Sequence, residues 1–147
     1  MIKALLLTAG VCSMINDFNP ATYEPSILYV NECAPAEDVD LLARCITAEM
    51  GYNQPKELYY LAGSVVWNRM RSDSFPDYLV DVIYQDGQYQ CTWNGHIERD
   101  ADPVAIEVAN DLLLNGTQIP ENVVFQAEFI QGHGVYEHIG NTYFCYQ

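Results

Sequence analysis

Two helical patterns follow each other with only a short polar break between them, and this restricts the available folds more than any other feature. In "EDVDLLARCITAEM", residues 37–50, Leu42, Ile46 and Glu49 are spaced by four and three, so they share one helical face. Asp38 or Asp40 suits the helix N-terminus, and Gly51 suits its end. In "NQPKELYYLAGSVVWNRMRS", Pro55 suits a first turn. Leu58, Leu61, Ala62, Val65, Val66 and Met70 then recur at helical spacing, which predicts a helix over Lys56 to Met70. A third helix is expected in "PDYLVDVIYQ", with Leu79, Val82 and Ile83 inward. A fourth is expected in "PVAIEVANDLLLNG", opened by Asp102-Pro103 and stopped by Gly116.

The rest of the chain has a different period. "GQYQCTWNG" alternates, is aromatic and ends in Asn94-Gly95, so it reads as a short strand or hairpin. "ENVVFQAEF" and "YEHIGNTYFCY" are β-type runs separated by "QGHG". Helices followed by strands imply an α+β fold: a helical body with a small antiparallel β-hairpin layer, residues 37–147 forming one domain. Upstream, residues 1–14 have a lysine and then an apolar stretch from Ala4 to Val11, as in a secretory signal peptide. Residues 15–36, with Pro20, Pro25 and Pro35, read as a linker or N-terminal arm.

Charge excludes some functions. Six Lys and Arg stand against twenty Asp and Glu, for a formal net charge of −14. Such a chain repels nucleic-acid phosphates and anionic membranes, but accepts a neutral or mixed-charge glycan. No run approaches the ~20 apolar residues of a membrane-spanning helix. The five cysteines are Cys12, Cys33, Cys45, Cys91 and Cys145. Removal of a leader holding Cys12 leaves four, enough for two disulfides in an extracytoplasmic protein; buried free thiols are the other reading.

Glu49 breaks its own pattern, because an ionisable group stands where another Leu fits the stripe. Partial burial and the negative end of the helix dipole both disfavour a carboxylate anion there. A carboxyl kept protonated is what a general acid needs to protonate a glycosidic oxygen. The alternative is a helix-end Glu paired with Arg44, Lys56 or Arg69. Ordinary glycoside hydrolysis uses a second acid, for which Asp86, Glu98 and Glu128 are candidates. A transglycosylase route needs one carboxyl, first as acid and then as base.

Tyr89, Gln90, Trp93, Asn94, Phe125, Gln126 and Tyr143 supply aromatic faces and amides of the kind that bind sugars; cross-strand packing is the alternative. Asn68-Arg69 suits orienting Glu49, capping the next loop or forming a buried ion pair. His133 and His138 have a metal-pair spacing only if helical, and their Gly-rich β context argues against that, so no metal is expected. Neither a nucleophile elbow nor a phosphate or dinucleotide loop is present, and no cofactor is expected.

Four segments together resemble a known family: "LLAR…AE" ending at Glu49, "AGSVVWNRM", "FPDYLVDVIYQDGQY" and "IGNTYFC". In order and spacing they are similar to the catalytic domain of the SleB-type cell wall hydrolases, the spore cortex-lytic enzymes, across roughly residues 39–145. The resemblance implies a lysozyme-like fold and cleavage of peptidoglycan glycan strands at the MurNAc–GlcNAc linkage, by a lytic transglycosylase or muramidase. It places the catalytic Glu at Glu49, and Tyr89 and Gln90 on a cleft-lining loop. A secreted or wall-associated enzyme, or a phage-encoded one, is expected; a secreted module that binds peptidoglycan without cleaving it is the alternative.

Overall fold

The computed structural model describes residues 34–147. The expected leader and most of the expected arm lie outside the described residues. Four helices come first: α1 (Ala36–Met50), α2 (Lys56–Met70), the short α3 (Leu79–Ile83) and α4 (Pro103–Asn115). Three strands close the chain: β1 (Val123–Ala127), β2 (Val135–Ile139) and β3 (Thr142–Tyr146). They form one antiparallel sheet in the order β1-β3-β2, with β3 central. The fold is α+β, as the sequence pattern implies. Among the described residues, no helix is long and apolar enough to cross a membrane.

The helical body is built on close approach. The apolar stripes of α1, α2 and α4 bury Leu42, Ile46, Leu61, Val65, Val66, Val108 and Leu112 in one core. Gly63, in the middle of α2, lies where the three helices meet. A methyl group there would stand 2.5 Å from Leu112 Cδ1 and 2.8 Å from Ile46 Cδ1. Glycine costs helix propensity at this position, and the contact offsets that cost by letting the side chains of two neighbouring helices touch the α2 backbone.

Two segments depart from the sequence reading. "GQYQCTWNG" forms no strand: Gln90–Thr92 and His96–Glu98 are two short 3₁₀ turns. Tyr89 and Cys91 do alternate with the exposed Gln90, but their backbones pack against the helical body and find no partner strand. The third helix is also shorter than its pattern. It begins at Leu79 and stops at Ile83, so Pro76 and Asp77 remain in the preceding turn.

A polar knot holds the end of α1 to the start of α4. Asp102 caps α4 by accepting the Val104 N–H at 2.9 Å, and it also accepts the Asn53 N–H at 2.9 Å. Its own N–H donates to Thr47 Oγ1 at 2.9 Å, and that hydroxyl donates to the Ala43 carbonyl. The C-terminus of α1 is held from its other side by Tyr59, whose hydroxyl donates to the Gly51 carbonyl at 2.8 Å. Glu49 stands in the last turn of this doubly anchored helix.

The sheet docks through the last turn of α2. Asn68 Nδ2 donates to the carbonyls of Pro120 and Val123, at 2.9 and 3.0 Å, and Arg69 Nε donates to Val124 O at 2.7 Å. The Asn68-Arg69 pair therefore grips β1; it neither caps the next loop nor forms the buried ion pair that residue type suggested. Strand β2 is the exposed edge.

Gly63→Ala is expected to lower unfolding stability by about 1–3 kcal/mol, the usual cost of overpacking, measured by urea denaturation. Asp102 gives a pH signature. Hydrogen bonds from the Asn53 and then the Val104 N–H hold its carboxyl below the ordinary value of 3.8. Its contribution is therefore complete above the ordinary carboxylate range and is lost as pH falls through the depressed folded value. The gap in urea midpoint between wild type and Asp102→Ala is expected to be widest near neutrality and to close on acidification.

Candidate active site around Glu49

Glu49 is half-buried, and its Oε1 accepts the backbone N–H of Cys91 at 3.2 Å. That amide lies in the first 3₁₀ turn, which packs beside α1. The three cations that could have made Glu49 a structural ion-pair partner are all engaged elsewhere. Arg44 pairs with Asp40 one turn earlier on α1, and Lys56 pairs with Glu107 at 3.3 Å. Arg69 is 4% exposed and lies against two aromatic rings, its guanidinium carbon 5.0 Å from the centre of Phe75 and 5.1 Å from that of Tyr89. Among the described residues, no cation pairs with Glu49.

The remaining sequence-predicted residues divide by exposure. Tyr89 is fully buried and belongs to the floor beneath Glu49, so its ring offers no face to a sugar. Burial pushes its phenol far above the ordinary range, so the hydroxyl stays neutral. Gln90 is exposed, and Trp93 is 70% exposed, free to stack on a ligand. Gln126 is half-buried on β1, two residues beyond the strand position that Arg69 holds. Its Oε1 is buried without a hydrogen-bond partner among the described residues. Tyr143 is half-buried on β3 and stacks on His138, with ring centres 4.0 Å apart and planes 5° from parallel.

Two surface hollows stand out among the described residues, and neither has Glu49 on its wall. One, of about 240 Å³, is lined by Arg44, Thr47, Tyr52, His96, Arg99 and Asp100, and reaches Ala48 and Gly51 on either side of Glu49 in the chain. The other, of about 310 Å³, is lined by Glu128, His138, Gly140, Asn141 and Tyr143. The candidate second acids Asp86, Glu98 and Glu128 are all exposed. Among the described residues, no group of three or more His, Cys, Asp or Glu side chains gathers as a metal cluster.

The cysteines do not follow the two-disulfide expectation. Cys45, Cys91 and Cys145 are free and buried, and Cys33 lies outside the described residues. They pack as small apolar side chains. Hydrogen bonding to the Cys91 thiol, and then burial, push the Cys45 thiol well above its ordinary range. A thiol so placed is no nucleophile, which sets aside cysteine protease chemistry at this position.

The family described as Cell Wall Hydrolase matches residues 53–145. The chain belongs to the cell wall hydrolase family. The matched span opens just after Glu49 and covers α2, α3, both 3₁₀ turns, α4 and the sheet. Among solved structures, the catalytic domain of the Bacillus cereus SleB protein is similar, with a TM-score of 0.65 and 21% identity over 76% of this chain and 91% of that one. At that identity the likeness is one of fold. No curated protein matches the chain.

Sequence reasoning brought Glu49, Tyr89 and Gln90 to the same place but missed the Cys91 amide and the aromatic cage of Arg69. A backbone donor has no residue signature, and a buried arginine looks the same in sequence as an exposed one. Tyr89 Oη is buried without a partner among the described residues. Tyr89→Phe removes an unsatisfied polar atom and keeps the ring, so stability is expected to hold or to rise by up to about 1 kcal/mol, measured by thermal and urea unfolding.

Proposed function

We propose that this cell wall hydrolase cleaves peptidoglycan glycan strands at the MurNAc–GlcNAc linkage, with Glu49 as the sole acid and base of a lytic transglycosylase reaction. The carrying observation is the state of Glu49: a half-buried carboxyl on an anchored helix end, held by one backbone N–H and paired with no cation. A structural glutamate at that position would use Arg44, Lys56 or Arg69, and each has another partner.

The chemistry follows from one carboxyl. Glu49 delivers its proton to the glycosidic oxygen as the bond to the anomeric carbon breaks. The carboxylate then takes the proton of a hydroxyl on the same muramyl residue as that oxygen closes on the anomeric carbon. The proton account balances, no water enters, and the product ends in an anhydro-sugar. The Cys91 N–H donates to the carboxylate oxygen and fixes its direction in both steps. Trp93 offers an exposed ring for a sugar face, and Gln90, Gln126 and Tyr143 offer polar contacts to hydroxyl and N-acetyl groups. Such a substrate fits a secreted or wall-associated enzyme, or a phage-encoded one.

Glu49→Gln is nearly isosteric and is expected to cut muropeptide release from purified peptidoglycan by about 10²- to 10⁴-fold, the range of general acid–base contributions. Release at the wild-type rate removes Glu49 from the reaction. Mass analysis of wild-type products decides the second half: an anhydro-muramyl end is expected, and a reducing end means hydrolysis.

A further inference from the structure

We propose that Arg69 is a positioning residue for the reaction, acting on Glu49 through the Tyr89–Cys91 segment; this rests on Glu49 as the reacting carboxyl. The path is continuous. Arg69 Nε donates to Val124 O on β1 at 2.7 Å. Its guanidinium face lies against Tyr89, with Phe75 against it as well. Tyr89 opens the 3₁₀ turn Gln90–Thr92, and Cys91 within that turn donates its N–H to Glu49 Oε1. The sheet, the turn and the carboxyl are thus joined by one planar cation.

Packing alone does not account for an arginine here. The side chain is buried at 4% exposure, pairs with no carboxylate among the described residues, and leaves Nη1 without a hydrogen-bond partner. Burying a cation this way is costly, and a Met would fill similar space without that cost. What Met lacks is the combination in use: an Nε–H aimed at a strand carbonyl and a flat, charged face held against an aromatic ring. Lys keeps the charge but has neither the flat face nor the Nε donor geometry. The turn has no strand partner; the Thr92 hydroxyl, which donates to Tyr89 O at 2.9 Å, shapes it internally, and the ring of Tyr89 under Arg69 ties it to α2 and so steadies the Cys91 amide.

The test uses the full chain with Arg69→Met and Arg69→Lys, each checked for folding by circular dichroism; Lys carries the test if Met does not fold. Two readouts are taken: the kcat and KM for solubilised glycan strands, and the pH response of the Cys91 amide resonance in a ¹⁵N-labelled sample. The expected result is a kcat lower by about 10- to 100-fold, as for a misplaced catalytic group, with KM unchanged and an amide that no longer follows Glu49 titration. Wild-type kcat in the folded variants overturns the proposal. So does an amide that still follows pH as in the wild type, or full recovery of both readouts in Arg69→Lys. Glu49→Gln separates the two readings. If it stays active, the role of Glu49 fails, whereas the effect of Arg69 on the Cys91 amide is read independently of activity.

Discussion

The contact at Gly63 sets the geometry on which the rest of the domain depends. With no Cβ at that position, Ile46 of α1 and Leu112 of α4 reach the backbone of α2 from two sides. The distance between the helices is therefore fixed by a backbone surface, not by a deformable side chain. Glu49 stands three residues beyond Ile46, on the same helical face, so this spacing sets its distance from everything that α2 carries. Asn68 and Arg69 lie further along α2 and hold β1. One close approach thereby relates the acid, the sheet and the turn between them.

Polar groups then refine what packing sets out. Asp102 satisfies two backbone donors, one at the start of α4 and one just beyond the end of α1, and Thr47 accepts the Asp102 N–H. Two of them, from Asn53 to Asp102 and from Asp102 to Thr47, cross between elements distant in sequence at the end of α1 that carries Glu49. Among the described residues, Arg69, Gln85, Tyr89 and Gln126 keep buried polar atoms without a hydrogen-bond partner. Buried groups of this kind are costly, and a chain that keeps several departs from optimal stability where they lie.

Helices α1, α2 and α4 were legible because their apolar residues recur over three or four turns, and because Pro55, Pro103, Gly51 and Gly116 punctuate them. The β runs were legible through their composition and turn signals. The segment from Gln88 to Gly95 was not, since alternation over so few residues fits a strand and a buried 3₁₀ turn equally well. Only the presence or absence of a partner strand decides between them. The same limit explains Tyr89: an aromatic beside a loop reads as a surface platform, and its burial comes from the helical body closing over it.

The sequence by itself determined the α+β order, the positions of four helices and the anomaly of an acid on an apolar stripe. It did so because local periodicity and turn chemistry are properties of neighbouring residues. The tertiary structure decided which groups that acid meets. Arg44, Lys56 and Arg69 were equally available partners along the chain. In three dimensions Asp40, Glu107 and two aromatic rings take them, and Glu49 is left with the Cys91 N–H. Pairing is a competition among near and distant groups, and only the fold brings the distant competitors, Glu107 and the two rings, into reach.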